Sequence, residues 1–103
     1  MPIRIIELNG KSAPVVICDV CNEQINHATK GNYEWVHGER DGAGSYIFFT
    51  HKECSEKFRQ KYPKANDAHI HWCPLAAFPI YLGKNLELDW EEAMETATNF
   101  SDI

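Results

Sequence analysis

The sequence predicts a small α+β domain, and three features of the chain support this class. Short segments rich in β-branched and aromatic residues alternate with turn signals in the first half, whereas helical patterns follow near residues 51–61 and 90–99. A chain of 103 residues suits one domain spanning residues 1–103. Apolar residues make up 44% of it, so a packed core is expected, although a modest one.

The N-terminal segment predicts two short strands. Isoleucines and Leu8 within residues 3–8 mark the first strand, residues 15–17 mark the second, and Asn9-Gly10 is a turn signal between them. Because more than two residues separate these strands, the expected hairpin is loose. Pro14 favours an edge position or the start of a strand, since proline cannot donate to a ladder.

A second hairpin is expected in the middle of the chain, after a loop at residues 25–30. Tyr33, Trp35 and His37 alternate with other residues, which predicts a strand over 33–37. Residues 38–44 are rich in glycine and predict a flexible turn, and residues 45–49 predict the return strand. The aromatic side chains of this hairpin are expected to pack in the core rather than to stack on bases or bind a peptide.

A helix is expected from about residue 51 to residue 61. Thr50 and Glu53 fit a capping box, with Thr50 as N-cap and Glu53 at N3. The inward stripe of this helix falls at four-residue spacing, and Pro63 ends it. The stripe consists of Cys54, Phe58 and Tyr62.

The C-terminal part predicts a helical extension over about residues 63–103. Residues 66–72 suit a loop or a short strand. The apolar segment that follows suits a short helix starting at Pro74, but Pro79 would distort it, so two short turns or a broken helix are expected. Asp89 is suited to cap a final helix from Trp90 to about Asn99. The side chains that this helix is expected to bury are Trp90, Ala93, Met94 and Ala97.

Two pairs of metal-ligating residues carry the clearest chemistry of the chain. Cys18 and Cys21 enclose two residues, His51 and Cys54 enclose two more, and 29 residues lie between the pairs. Asn22 is suited to end the turn of the first pair because Asn tolerates positive φ. Zinc prefers four tetrahedral nitrogen and sulfur ligands, and a closed Cys3His set is structural. The sequence therefore predicts one Zn2+ with no open coordination position and no catalytic role.

Other interpretations of these cysteines remain open at the level of sequence. Cys18 and Cys21 fit a redox pair, but such a pair usually starts a helix after a strand, and polar residues 22–24 follow here. Disulfides would need an oxidising compartment. Cys73 is the fourth cysteine and the one outside the main site. It is an alternative ligand to His51, although the capping signal favours His51.

Residues 15–62 resemble the treble-clef class of zinc fingers, in which a knuckle supplies two ligands, a hairpin follows, and a helix N-terminus supplies the last two. The resemblance implies a fold element and a metal held by Cys18, Cys21, His51 and Cys54. It implies no activity, because treble clefs host DNA binding, nuclease chemistry, ubiquitin transfer and scaffolding. The whole chain is also similar to small bacterial proteins with this zinc pattern and no settled role.

Charge and the remaining polar residues rank the function classes. The net charge of −5 disfavours broad nucleic-acid binding, although four cations near one helix keep a regulatory finger as an alternative. These are Lys57, Arg59, Lys61 and Lys64. A second metal site at His69, His71 and Cys73 would make an enzyme, but a polar strand with a free thiol is favoured.

The favoured function is a cytoplasmic module for protein–protein contacts. It would bind either another protein or a second copy of this chain. Residues 1–7 lack the pattern of a signal peptide. The sequence contains no run of about 18 apolar residues, so no membrane span is expected. Cysteines without a secretory signal favour a reducing cytoplasm and metal ligation. The expected contact patch consists of Trp72, Leu75, Phe78, Ile80 and Tyr81.

Overall fold

The computed structural model describes residues 2–36, 45–61 and 70–99, and these ranges form a small α+β structure with two antiparallel sheets and helices. The turn predicted over residues 38–44 lies outside them. So do His37, Tyr62, Pro63, Lys64 and His69.

The first sheet is a tight hairpin of β1 (Ile3–Leu8) and β2 (Lys11–Val16). Leu8 pairs with Lys11, so Asn9 and Gly10 alone form the turn, with φ of 52° and 78°. Positive φ at both positions matches the right-handed twist of the strands. The expectation of a loose hairpin is therefore wrong, because this turn fixes a register that draws polar residues 11 and 12 into the strand. Pro14 lies in a two-stranded sheet, where each strand is an edge, as predicted.

The second sheet has the order β4–β3–β5 and is built from β3 (Gly31–Val36), β4 (Phe48–His51) and β5 (Ile70–Pro74). Both neighbours run antiparallel to β3. The predicted second hairpin is confirmed as β3 and β4, with bounds shifted by about two residues. The segment near residue 70, for which loop and strand were both open, is a strand that pairs with β3.

The helix α1 (Ser55–Lys61) starts later than predicted, because Lys52–Cys54 forms a 3-10 turn before it. The predicted capping box is wrong. Thr50 is the third residue of β4, and its hydroxyl donates to the carboxylate of Glu34 at 2.5 Å instead of capping a helix. Phe58 of α1 is buried as expected, and its ring lies 5.0 Å from that of Phe48.

The segment after Pro74 is divided, as predicted, but the division falls before Pro79, and the helix α2 (Phe78–Asn85) continues through this proline. A 3-10 turn over Leu75–Ala77 leads into α2. Pro79 then lies in the first helical turn, where the missing N–H of proline leaves no intrahelical bond unmade. The helix ends in a Schellman motif, in which the amides of Leu88 and Glu87 donate to the carbonyls of Gly83 and Lys84.

The helix α3 (Trp90–Asn99) has the predicted bounds and the predicted cap. Asp89 Oδ1 accepts from the amide of Glu92 at 3.1 Å. The predicted burial is wrong: no residue of α3 is buried, and Trp90 and Met94 are 49% and 69% exposed. The contact of α3 with α2 is at its first residue, where a Cβ built on Gly83 would lie 2.8 Å from the Trp90 ring. An amphipathic pattern alone therefore identified the helix but not its surroundings.

The core lies where the end of the first hairpin meets the second sheet, and cysteines are part of it. Its buried cluster is packed against half-buried Tyr33 and Phe78. The ring of Phe78 lies 5.1 Å from that of Phe49, edge to face. The cluster consists of Cys18, Ile25, Phe49, Cys54 and Leu75. Within the three described ranges, no helix is long and apolar enough to cross a membrane.

Candidate metal centre

The first ligand pair lies in a knuckle directly after β2. The amide of Cys18 donates to the carbonyl of Glu23, and the amide of Asn22 donates back to the carbonyl of Cys18. Asn22 has a φ of 63°, which confirms its predicted role at the end of the turn. This backbone closure places Cys18 in the core and leaves Cys21 exposed.

Two hydrogen bonds fix the knuckle against β4, which carries the second ligand pair. The amide of Asp19 donates to the carbonyl of Phe49 at 2.7 Å. In return, the amide of Phe49 donates to Asp19 Oδ2 at 2.8 Å. His51 is the last residue of β4, and Cys54 ends the 3-10 turn that follows. Asp19, which follows the first knuckle cysteine, thus holds the two halves of the site together.

The structure brings all four predicted residues into one cluster. The sulfur atoms of Cys18, Cys21 and Cys54 and a ring nitrogen of His51 lie within 4.8 Å of one another. Zinc bonds of about 2.3 Å to sulfur and about 2.0 Å to nitrogen place tetrahedral ligand atoms roughly 3.5–3.8 Å apart. A contraction of about 1 Å at the widest pair would therefore complete the shell. The donor set and its spacing fit a metal ion.

The imidazole of His51 is oriented by contacts at both of its ring nitrogens. Nδ1 lies 3.4 Å from the sulfur of Cys21. Nε2 lies 3.2 Å from the carbonyl oxygen of Gln24 and can donate to it. A ligating histidine usually donates its other nitrogen to a carbonyl or carboxylate, which sets the tautomer. This orientation presents Nδ1 to the thiols as the metal-facing atom.

The three thiols do not share one protonation state without a cation. Burial raises the pKa of Cys18, but amide hydrogen bonds from Cys21, His51 and Val20, with the His51 side chain, outweigh it and bring this pKa to about 7. Burial, followed by the charges and hydrogen bonds of Cys18 and Cys21, raises the pKa of Cys54 to about 12. Like charges at this distance repel, so three thiolates need a positive ion between them.

Glu34 is a residue of the site that the sequence did not single out. Its side chain is 0% exposed, and it accepts from Ser55 Oγ at 3.0 Å as well as from Thr50. The Nε atom of Arg59 lies 4.0 Å from Oε1. Thr50 and Ser55 flank the segment that holds His51 and Cys54, so Glu34 fixes both ends of this segment. Its alternation with Asn32 and Val36 on one strand face was the available sequence signal.

The second proposed metal site is only partly within the described structure. Trp35 pairs with His71 and Tyr33 pairs with Cys73 across β3 and β5. The His71 and Trp35 rings stack at 5.5 Å. Burial, reinforced by Cys73 and by Tyr81, raises the pKa of Tyr33 to about 12. His69 lies outside the described residues, and the described pair packs against aromatic rings.

Other predicted positions fall at the surface or in the core. Lys57 and Lys61 are exposed on α1, whereas Arg59 points towards Glu34. His27 accepts from the amide of Thr29 at 3.2 Å and caps a 3-10 turn. Lys64 lies outside the described residues. The predicted basic face is therefore described only at Lys57, Arg59 and Lys61.

The predicted contact patch divides into exposed and packed residues. Trp72 and Tyr81 are 50% and 55% exposed, and Ile80 is similarly exposed. Leu75 is buried in the core and Phe78 is half-buried, so these two side chains were wrongly assigned to the surface. On the hairpin, Tyr33 stacks on Trp35 at 5.6 Å, in agreement with packing, whereas Tyr46 is exposed.

Comparison of the chain with protein-family models, with curated proteins and with solved structures finds no match. The chemistry that its own residues show is a Cys3His cluster that can hold a metal ion, within a small α+β structure.

Proposed function

We propose that the protein is a small zinc-binding module of the reducing cytoplasm, stabilised by one Zn2+ and used for contacts with another protein. Its ligands are Cys18, Cys21, His51 and Cys54, in a treble-clef-like arrangement of knuckle, hairpin and helix. The observation that carries the proposal is the convergence of these four side chains within 4.8 Å, from two segments 29 residues apart in sequence.

Zinc fits this donor set better than other biological cations. Thiolate and imidazole ligands in a tetrahedral set favour zinc, whereas calcium and magnesium prefer oxygen ligands. Three thiolates and one neutral imidazole give the loaded site a formal charge of about −1 and leave no position for water or substrate. The metal would therefore stabilise the fold and would not activate a reactant.

The surface of the described residues supports a contact function. Trp72, Ile80 and Tyr81 expose large apolar side chains on β5 and α2. Exposed aromatic residues are enriched where proteins bind each other. The net charge of −5 and the pairing of Arg59 with Glu34 weigh against the nucleic-acid alternative.

The structural role of the metal is tested by Cys21→Ser, with Cys73→Ser as the matched control outside the cluster. We expect Cys21→Ser to lose zinc and to lose the hydrogen-exchange protection of residues 15–36 and 45–61, because a site that lacks one ligand no longer offsets the repulsion of its thiolates. The control should keep both. A Cys21→Ser protein that retains its metal and its melting curve would contradict the proposal.

The contact role is tested by affinity capture from the cytosol of the native host, with wild type and an Ile80→Ser/Tyr81→Ser variant as baits. We expect at least one protein to be retained by wild type and lost from the variant, while an Ile5→Ser control retains it, because Ile5 is exposed on a different element. Zinc content is measured on each bait. Retention of nucleic acid that is released by moderate salt would instead favour the regulatory finger.

A further inference from the structure

The exposed surface of α3 is unusual for a helix of this composition. Residues Trp90, Ala93, Met94 and Ala97 follow helical spacing, yet none of them is buried. Leu86 and Leu88, which precede the helix, are also exposed. A stripe with this spacing generally faces a packed neighbour. At the N-terminus of α3, the Trp90 ring approaches Gly83 of α2.

A shallow, open cleft of about 420 Å³ lies along one side of α3. Its apolar lining consists of Leu88, Ala93 and Ala97, and its polar lining consists of Asp89, Glu92 and Thr96. One oxygen of Asp89 accepts from the amide of Glu92. The lining thus combines small apolar side chains with carboxylates, which suits an aliphatic chain that carries a positive charge.

The negative charge of this region indicates that its binding partner is positively charged. Residues 86–103 contain six acidic side chains and no Lys or Arg. Among the described residues, no ion pair involves α3. Glu91 and Glu95 are four residues apart and repel each other on the helix surface. A cationic neighbour would relieve this repulsion, whereas an anionic lipid surface would increase it.

We propose that the α3 cleft docks a lysine- or arginine-bearing segment of another protein. The aliphatic stem of the cationic residue lies against Leu88, Ala93 and Ala97, and its charged head meets the carboxylate of Glu92. Lys and Arg bury their stems on apolar surface in this way while the head stays at the rim. The inference rests on the proposed contact function, and it names the chemistry of the partner and a docking site separate from Ile80 and Tyr81.

A second copy of the chain is a poorer occupant than a basic partner. A symmetric contact through α3 would bring Glu92 and its acidic neighbours against their own copies. The exposed cations of α1 could meet α3 of another copy, but such a head-to-tail contact would link copies into rings or open chains. A distinct basic segment satisfies the charge without either cost.

The test uses the zinc-loaded full chain, isotope-labelled, and three helical peptides of roughly 14 residues, or about four turns. The first carries Leu on one face and Lys on the other, the second has Glu in place of Lys, and the third has 2,3-diaminopropionic acid, a cation without the long aliphatic stem, in place of Lys. We expect the first peptide to shift the amide resonances of residues 88–97 and the indole N–H resonance of Trp90. The second should not bind, and the third should bind about tenfold more weakly, because it lacks the apolar contact of the stem.

Matched variants locate the interaction. Glu92→Lys should weaken binding of the first peptide about tenfold, whereas Glu95→Lys, which makes the same change in net charge away from the cleft, should weaken it only about twofold. Ala97→Gln, which fills the cleft without adding charge, should also weaken it. Backbone chemical shifts confirm that α3 remains helical in each variant.

Several results would overturn the docking proposal. Equal effects of Glu92→Lys and Glu95→Lys would indicate unspecific attraction to an acidic surface. Resonance shifts outside residues 88–97 would place the binding site elsewhere. Self-association through α3, measured by sedimentation, would make a second copy of the chain the partner. If the peptide fails to bind while each chain holds one zinc and Tyr81-dependent capture persists, this inference is wrong and the proposed function stands. Loss of both zinc and capture would instead remove the proposed function.

Discussion

At the scale of single residues, the most informative side chain is one that touches no metal. Glu34 is buried beneath the sheet and receives hydrogen bonds from Thr50 and Ser55. These two residues bracket His51 and Cys54. A carboxylate that accepts two hydroxyl bonds can fix the ends of a short segment without occupying a ligand position. Glu34 is thus a positioning residue for half of the candidate metal centre.

Glu34→Gln should lower zinc affinity about tenfold, because the neutral amide has one oxygen for two hydroxyl donors and loses its attraction to Arg59. The measurement is a chelator-competition titration, together with the visible spectrum of the cobalt-substituted protein. Glu56→Gln, on the exposed side of α1, is the control. A change in the cobalt spectrum separates positioning from a loss of stability alone, and a spectrum and affinity equal to wild type would show that Glu34 does not orient the ligands.

The unequal thiols predict which residue releases a proton when zinc binds. At about pH 8, Cys18 is already largely ionised because its pKa is about 7, whereas Cys54 is protonated because its pKa is about 12. Cys54 should therefore release about one proton per zinc at this pH, whereas Cys18 should release much less. Titration calorimetry of wild type in two buffers with different ionisation enthalpies, at about pH 8 and at about pH 7, measures the number of protons released. This number should rise at the lower pH, because Cys18 is then partly protonated before zinc binds. A number that does not rise would contradict the assignment.

At the scale of elements, helix boundaries depended on contacts that no local pattern contains. Thr50 and Glu53 have the spacing of a capping box. This spacing contains no information about which distant residue hydrogen-bonds to Thr50. In the structure the partner is Glu34, 16 residues earlier, so Thr50 stays in β4 and α1 begins at Ser55. The same limit explains α3, whose cap at Asp89 was local and predictable, whereas its exposure was not.

The link between α2 and α3 contains a residue with an unfavourable backbone conformation. Glu87 occupies the left-handed region, with a φ of 53°, at the position where a Schellman motif usually has glycine. Glu87→Gly should raise the free energy of unfolding of the zinc-loaded protein by about 0.5–1 kcal/mol, because the Cβ penalty disappears.

Chemical denaturation of the zinc-loaded protein measures this change. Glu91→Gly is the control: it lies within the helical region of α3, where glycine should lower stability by about 1 kcal/mol. If Glu87→Gly lowers stability as Glu91→Gly does, the left-handed residue is not a source of strain.

At the scale of the whole molecule, the protein is extended for its size. Its radius of gyration is 15.6 Å, whereas a compact chain of this length would have about 13 Å. The first hairpin exposes Ile3, Ile5 and Leu8, and α3 has no buried residue. A two-stranded hairpin is marginally stable by itself. Stability is therefore concentrated where the knuckle, β4 and α1 meet, and this is where the four ligands converge.

The location of this stable region explains which features of the fold and of the site the sequence could predict. The spacing of Cys18, Cys21 and Cys54 predicted the cluster directly, because coordination geometry restricts which positions can meet at one metal ion. Strand alternation around Tyr33 and Trp35 likewise predicted β3. In contrast, the pairing of β5 with β3 and the burial of Glu34 depend on chain segments distant in sequence. These features required the structure.

The central claim is that one zinc ion holds the two ligand pairs together. Native mass spectrometry with elemental analysis, on wild type and on Cys73→Ala purified in the presence of zinc, tests it most directly. We predict one zinc per chain in both proteins, because Cys73 lies outside the Cys3His cluster. Absence of metal from wild type would contradict the account and return Cys18 and Cys21 to redox chemistry. Two metals in wild type and one in Cys73→Ala would contradict the single closed site and favour a second centre at Cys73.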